Sequence, residues 1–184
     1  MNTANKLTML RVLLIPIFIT LLYVEFEIYT YITNIKAALF VFIIAALTDL
    51  ADGIVARRRD QITDFGTFMD PLADKILTFA AMLWFIEVGL MPAWLVLIVI
   101  IREFMVTGIR LVAAAKSKVI AASTAGKLKT LVTINCIVAM FLIYIFLQEM
   151  PWALIICWAL IGATTVVSGV EYFVKNREIM KLDR

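Results

Sequence analysis

Apolar residues occur in six long runs separated by short polar joins, approximately Leu7–Tyr23, Ile35–Arg57, Phe65–Glu87, Pro92–Ala115, Ala125–Leu147 and Trp152–Val174. Each approaches or exceeds the roughly 20 helical residues needed to cross a hydrocarbon layer of about 30 Å. The pattern predicts an all-α integral membrane protein with six transmembrane helices in a single bundle. No linker rich in Gly, Ser or Pro, no internal repeat and no low-complexity tract divides the chain, so residues 1–184 read as one membrane domain. The joins near Met91 and at Gln148–Met150 are short enough to make antiparallel hairpins. Pro92 and Pro151 stand where a helix begins without losing a backbone hydrogen bond. Pro16 falls inside the first run and is expected to kink it. That run lacks a small-residue cleavage site, which favours a retained helix over a secretory signal.

Composition agrees, with 64% hydrophobic and 17% charged residues. The distribution of the charges adds orientation, because cytoplasmic joins retain Lys and Arg. Lys6 and Arg11 flank the first run, Arg57, Arg58 and Arg59 follow the second, and Arg110, Lys116, Lys118, Lys127 and Lys129 surround the fourth join. The tail adds Lys175, Arg177, Lys181 and Arg184, whereas the opposite joins hold only Lys36 beside Glu25, Glu27, Glu87 and Glu149. Both termini are therefore expected in the cytoplasm of a multi-pass protein of the cell (inner) membrane. Topology alone accounts for most of these cations. Cys136 and Cys157 lie inside apolar runs at a spacing that suggests neither a disulfide framework nor a zinc site. There is no histidine, so any general base is a carboxylate, an amine, a phenol or water, and Ser-His and Cys-His hydrolases are excluded.

Carboxylates in apolar helices cost roughly 2.5 to 3.5 kcal/mol each at the bilayer centre and usually face a polar site. Four arrive together here. Asp49 and Asp52, three apart, share a helix face that Gly53 and Ala56 continue; Asp70 and Asp74, four apart, share another, with Gly66 one turn earlier. A short basic join connects the two runs, so the four carboxylates can converge at their cytoplasmic ends. Their mutual repulsion and burial call for cations. An oxygen-only set suits hard divalent ions, magnesium or manganese rather than zinc. Two such ions would suit displacement at phosphorus. Taken singly, the small residues are equally explained by close helix packing.

The segment D-L-A-D-G-I-V-A-R-R-R-D-Q-I-T-D-F-G-T-F-M-D-P-L-A-D, Asp49 to Asp74, resembles the signature of the CDP-alcohol phosphatidyltransferases, D-x2-D-G-x2-A-R-x8-G-x3-D-x3-D, at all eight fixed positions. Chance agreement at one start is on the order of one in a billion. The resemblance implies six transmembrane helices, a homodimer, and transfer of a phosphatidyl group from CDP-diacylglycerol. It implies that Asp49, Asp52 and Asp70 hold two divalent cations, Mg2+ or Mn2+, around the CDP pyrophosphate. Asp74 matches the catalytic base, with a metal contact of its own. Asp52, Gly53, Ala56, Arg57 and Gly66 match positions that accommodate the CDP-diacylglycerol nucleotide and its phosphates. Arg58 and Arg59 fall outside the pattern and read as topology or head-group residues.

Three further segments, Asn5–Arg11, Arg102–Arg110 and Gly126–Thr130, resemble the branch of that family that makes phosphatidylglycerophosphate, so the likeness extends along nearly the whole chain. One departure is Thr133, where that branch often has Gln. Arg102 and Glu103, being adjacent, are expected to point to different parts of the helix face, with Arg102 paired to some other carboxylate. Arg110, Lys127 and Lys129 add cations that the CDP motif does not require. An arginine fork and lysine point charges suit a phosphate, so the acceptor is expected to carry one. Glycerol 3-phosphate is the expected acceptor, and inositol phosphate or phosphatidylglycerol is the alternative. Expected partners are thus CDP-diacylglycerol, glycerol 3-phosphate, membrane lipids and a second copy of the chain, with no nucleic acid among them. Two other classes compete. An intramembrane prenyltransferase also uses aspartate-bound magnesium, but its acidic motifs are spaced otherwise. A cation transporter accounts for the carboxylates but not for the basic clusters on one face.

Overall fold

The computed structural model describes residues 3–24, 31–59, 64–115, 120, 123–147 and 150–177, the side chains of 3–9, 11, 31, 49–59, 64–74 and 115 excepted. Among them six α-helices follow in chain order: α1 Thr3–Tyr23, α2 Tyr31–Arg59, α3 Asp64–Glu87, α4 Ala93–Ala115, α5 Thr124–Leu142 and α6 Pro151–Lys175. Each apolar run has become one helix. Several helices overshoot their runs, α2 beginning at Tyr31 rather than Ile35. Hydropathy marks the part of a helix suited to hydrocarbon, whereas backbone hydrogen bonding carries the helix on into polar flanks. A π-helical turn, Ile143–Leu147, continues α5. It leaves no trace in the apolar pattern, because it changes the hydrogen-bond register and not the composition.

Two of these elements, α5 with its π turn and α6, are long and apolar enough to cross a membrane. On α6, Val166, Val167, Val170 and Phe173 are exposed while Cys157 and Ile161 are buried. A helix apolar on both faces is one whose solvent is lipid. Shorter apolar stretches run over Val12–Tyr23 and Ile32–Thr48. The centre of α4 is interrupted by Arg102 and Glu103.

The chain divides into two compact units. The first comprises residues 1–84 and 141–149. Here α1 packs against α2, and an aromatic cluster joins four helices. Phe141 stacks on Trp84 with centroids 5.4 Å apart and meets Phe18 and Phe42 at 6.3 and 6.2 Å. Tyr144, in the π turn, meets Trp84 edge-on at 5.2 Å. Offset and edge contacts of this kind add about 0.5 to 1.5 kcal/mol per pair beyond area burial. Pro16 sits within α1, whose helix assignment continues past it, and the Thr20 hydroxyl donates to the Pro16 carbonyl at 2.8 Å. The Asn34 amide donates to the Val24 carbonyl and so ties the end of α1 to the start of α2.

The second unit comprises residues 85–140 and 150–184. It opens on the expected hairpin, and the local chemistry explains the turn. Gly89 takes φ +75°, Leu90 N–H donates to Phe85 O, and Gly89 N–H donates to Ile86 O. This paired arrangement closes a helix C-terminus around a left-handed residue, a role that glycine fills without Cβ strain. Pro151 occupies the first turn of α6. Beyond the hairpin, α4 and α6 pack in parallel. A Cβ on Gly162 would meet Leu95 at 3.4 Å and one on Gly169 would meet Arg102 at 3.3 Å. Both pairs are offset by 67 positions, and each helix repeats the contact after seven residues. The Trp158 indole N–H donates to Leu90 O at the start of this interface. Cys136 and Cys157 are buried and free, as expected of packing residues.

Candidate active site

Asp49, Asp52, Gly53, Ala56 and Arg57 all lie on α2, and Gly66, Asp70 and Asp74 on α3. Both helices are continuous through these positions, so Asp49 and Asp52 share one face of α2 and Asp70 and Asp74 share one face of α3. Their side chains lie outside the described ones. The chemistry of the set, four oxygen donors in two helical pairs, fits hard divalent ions. No group of three carboxylates, thiols or imidazoles forms a metal centre among the described residues.

In the second unit the side chains of Arg102, Arg110, Lys127 and Lys129 are described. On α4, the Arg110 Nε donates to the Tyr172 hydroxyl of α6 at 3.2 Å, and its guanidinium lies 5.6 Å from the centre of that ring. Tyrosine is a neutral partner, so it fixes the guanidinium without cancelling its charge. Lys127 is exposed in the first turn of α5. The Ser123 hydroxyl caps that helix by accepting from Gly126 N–H at 3.0 Å.

Lys129 is placed differently from Lys127. It is buried, and its ammonium donates to Glu103 Oε1 at 2.6 Å. The same oxygen accepts from Arg102 Nη1 at 2.9 Å. Relative exposures of 11%, 14% and 6% for the Arg102, Glu103 and Lys129 side chains make this a buried cluster. The expected divergence of Arg102 and Glu103 is therefore corrected: they pair with each other. The long guanidinium arm spans the angular offset between neighbours. The arm passes close to Gly169, where a Cβ would lie 3.3 Å from Arg102 Cγ, while one on Gly126 would make an ordinary contact with Nη2 at 3.6 Å. Arg102 Nε and the hydroxyls of Thr133 and Thr165 are buried without a hydrogen-bond partner among the described residues.

Removing one member of a buried ion cluster strands the others, at a cost of about 3 to 5 kcal/mol. Glu103→Ala is expected to lose stability on that scale in a denaturant or thermal titration of the detergent-solubilised protein. Lys175→Ala breaks the exposed Lys175–Glu171 pair on α6 and is expected to change stability by no more than about 0.5 kcal/mol. Similar losses for the two variants would show that the cluster is not a structural tie.

Sequence reasoning missed two partners. Tyr172 stands 62 positions from Arg110, and no local spacing announces it. Glu103 as the shared carboxylate had a signal, the adjacent Arg-Glu pair, but adjacency was read as divergence. The seven-residue spacing of Gly162 and Gly169 could have located the α4 contact.

Comparison with known proteins extends the reading beyond these residues. The family model for CDP-alcohol phosphatidyltransferase matches residues 1–170. A Bacillus subtilis protein named CDP-diacylglycerol–glycerol-3-phosphate 3-phosphatidyltransferase is 40% identical over 98% of this chain and 97% of its own length. A Mycobacterium tuberculosis protein named "Probable phosphatidylglycerophosphate synthase" is 36% identical over 93% of this chain and 79% of its own. A Rickettsia typhi protein with the same name as the Bacillus relative is 28% identical over 94% of this chain and 95% of its own.

Proposed function

The chain belongs to the CDP-alcohol phosphatidyltransferase family, a family of integral membrane enzymes, and from that premise we propose that it makes phosphatidylglycerophosphate. It transfers the phosphatidyl group of CDP-diacylglycerol to sn-glycerol 3-phosphate and releases CMP. The observation that carries this reading is the 40% identity, sustained over 98% of the chain, to a relative named for that reaction. The purified protein, offered CDP-diacylglycerol with glycerol 3-phosphate, inositol phosphate or phosphatidylglycerol in turn, is expected to release CMP with glycerol 3-phosphate. Preference for either other acceptor would overturn the assignment.

In the proposed mechanism the sn-1 hydroxyl of the acceptor attacks the β-phosphorus, its proton passes to Asp74, and the bond to CMP breaks. Asp49, Asp52 and Asp70, with a contact from Asp74, would hold two divalent cations, Mg2+ or Mn2+. When bound, these ions supply positive charge to the pyrophosphate and the leaving CMP. Asp52, Gly53, Ala56, Arg57 and Gly66 are the residues proposed to accommodate the nucleotide and its phosphates. Arg110 and Lys127 receive the acceptor phosphate, whereas the charge of Lys129, expected from its sequence to join them, is taken up by Glu103. The wider arrangement proposed is one domain of six membrane-crossing helices in the cell membrane. Its termini and active site are on the cytoplasmic side, and it works as a homodimer.

The Tyr172 contact favours this role for Arg110, since a cation held by a neutral hydroxyl keeps its charge available. Arg110→Ala is expected to raise KM for glycerol 3-phosphate by at least about tenfold, the loss of one charge-assisted hydrogen bond or more. KM for CDP-diacylglycerol should change little. Equal effects on both constants would make Arg110 a structural residue.

A further inference from the structure

A groove of about 370 Å³ runs along the joint of α4 and α6. Its walls extend from Ile98 to Ile109 on α4 and from Thr165 to Val174 on α6. Met105, Val166 and Val170 line it and are themselves exposed. The guanidinium of Arg102 is turned away to Glu103, and the arm's Cγ lies against Gly169. The Thr165 hydroxyl and Arg102 Nε are buried, so the surface offered to an occupant is almost wholly hydrocarbon.

Size and charge select the occupant. The eleven helical rises from Ile98 to Ile109, about 1.5 Å each, give a length of about 16 Å, close to half of a hydrocarbon core of about 30 Å. The groove is therefore one leaflet deep. A narrow, flexible apolar chain such as a fatty acyl chain suits a groove of this length and lining. The wall ends at Val174, and at that end three cations, Arg110, Lys175 and Arg177, stand against the single carboxylate Glu171 among the described side chains. An anionic head group is favoured there, by about 1 kcal/mol per nearby cation.

We propose that this groove holds one acyl chain of an anionic phospholipid from the leaflet at the C-terminal end of α6, bound as a resident lipid. The assignment does not depend on turnover. Its test is photolabelling of the full chain in nanodiscs with phosphatidylglycerol carrying a diazirine in one acyl chain, followed by peptide mapping. Label is expected to concentrate on Met105, Ile109, Val166 and Val170, and to exceed by at least about fivefold that on Phe104, Leu111 and Val167, which are exposed on the same helices but do not line the groove. Val170→Trp, or Val166→Trp should the first variant fold poorly, is expected to remove most of this label. Val167→Trp should leave it intact. Even labelling of all exposed positions, persistence of the label in the groove-filling variant, or equal labelling by the phosphatidylcholine analogue would each overturn the proposal.

Discussion

Asp70→Asn is expected to reduce phosphatidyl transfer to the background of the assay while the protein keeps its melting temperature. Asn retains the size of Asp and one acceptor oxygen but loses the charge, and charge is what a hard divalent ion needs from its ligand. Such ions provide several kcal/mol of stabilisation to developing charge at phosphorus, and at 1.36 kcal/mol per tenfold the loss is about a thousandfold or more. The fold should tolerate the change, since relieving repulsion among four carboxylates on α2 and α3 favours the native state in the absence of metal. A second readout separates ligand from bystander. Magnesium-dependent binding of CDP-diacylglycerol should weaken in Asp70→Asn and recover in part at raised magnesium. Near-normal turnover of this variant at ordinary magnesium concentration would remove Asp70, and with it the proposed metal set, from the reaction.

The parts of this molecule that were legible in its sequence are those written in local spacing. Six apolar runs became six helices because the backbone in hydrocarbon has few other ways to satisfy its hydrogen bonds. Asp49 with Asp52, and Asp70 with Asp74, could be placed on common faces because three and four residues are the repeat of the helix itself. What was not legible depends on neighbours far apart in the chain. By sequence Lys129 groups with Arg110 and Lys127 as a cation for the acceptor phosphate, yet it is buried on Glu103, 26 positions away. Arg102 reaches that same carboxylate past Gly169, where a Cβ would crowd its Cγ at 3.3 Å. Gly169 carries no signal in the local spacing, because the side chain it accommodates sits on another helix. The π turn after Leu142 was invisible for a different reason: residues 143–147, I-Y-I-F-L, suit an α-helix equally well.

Asp74→Asn is expected to lose turnover by about 10² to 10⁴, the usual contribution of a placed general base, while still binding CDP-diacylglycerol in the presence of magnesium. The absence of histidine leaves a carboxylate as the strongest candidate, and a carboxylate with an ordinary pKa of about 3.9 is a weak base toward an alcohol. Proton transfer to Asp74 must therefore be late, gaining driving force as the new bond to phosphorus makes the attacking oxygen acidic. A late transfer makes the base matter in the transition state and little in the ground state. The expected signature is a fall in kcat with KM for both substrates nearly unchanged, as for any interaction made only in the transition state. Asp74→Glu provides the complementary test. It restores the charge and displaces the oxygens by one methylene, and it should recover part of the rate that Asp74→Asn lost. The position on α3, one turn beyond Asp70, also allows the auxiliary metal contact proposed above, and the variant separates that contact from the role of an indispensable ligand. The two roles part at the binding step, since a ligand is needed to hold the pyrophosphate and a base is not. If Asp74→Asn loses nucleotide binding as severely as it loses turnover, Asp74 is a metal ligand and the acceptor proton leaves by another route.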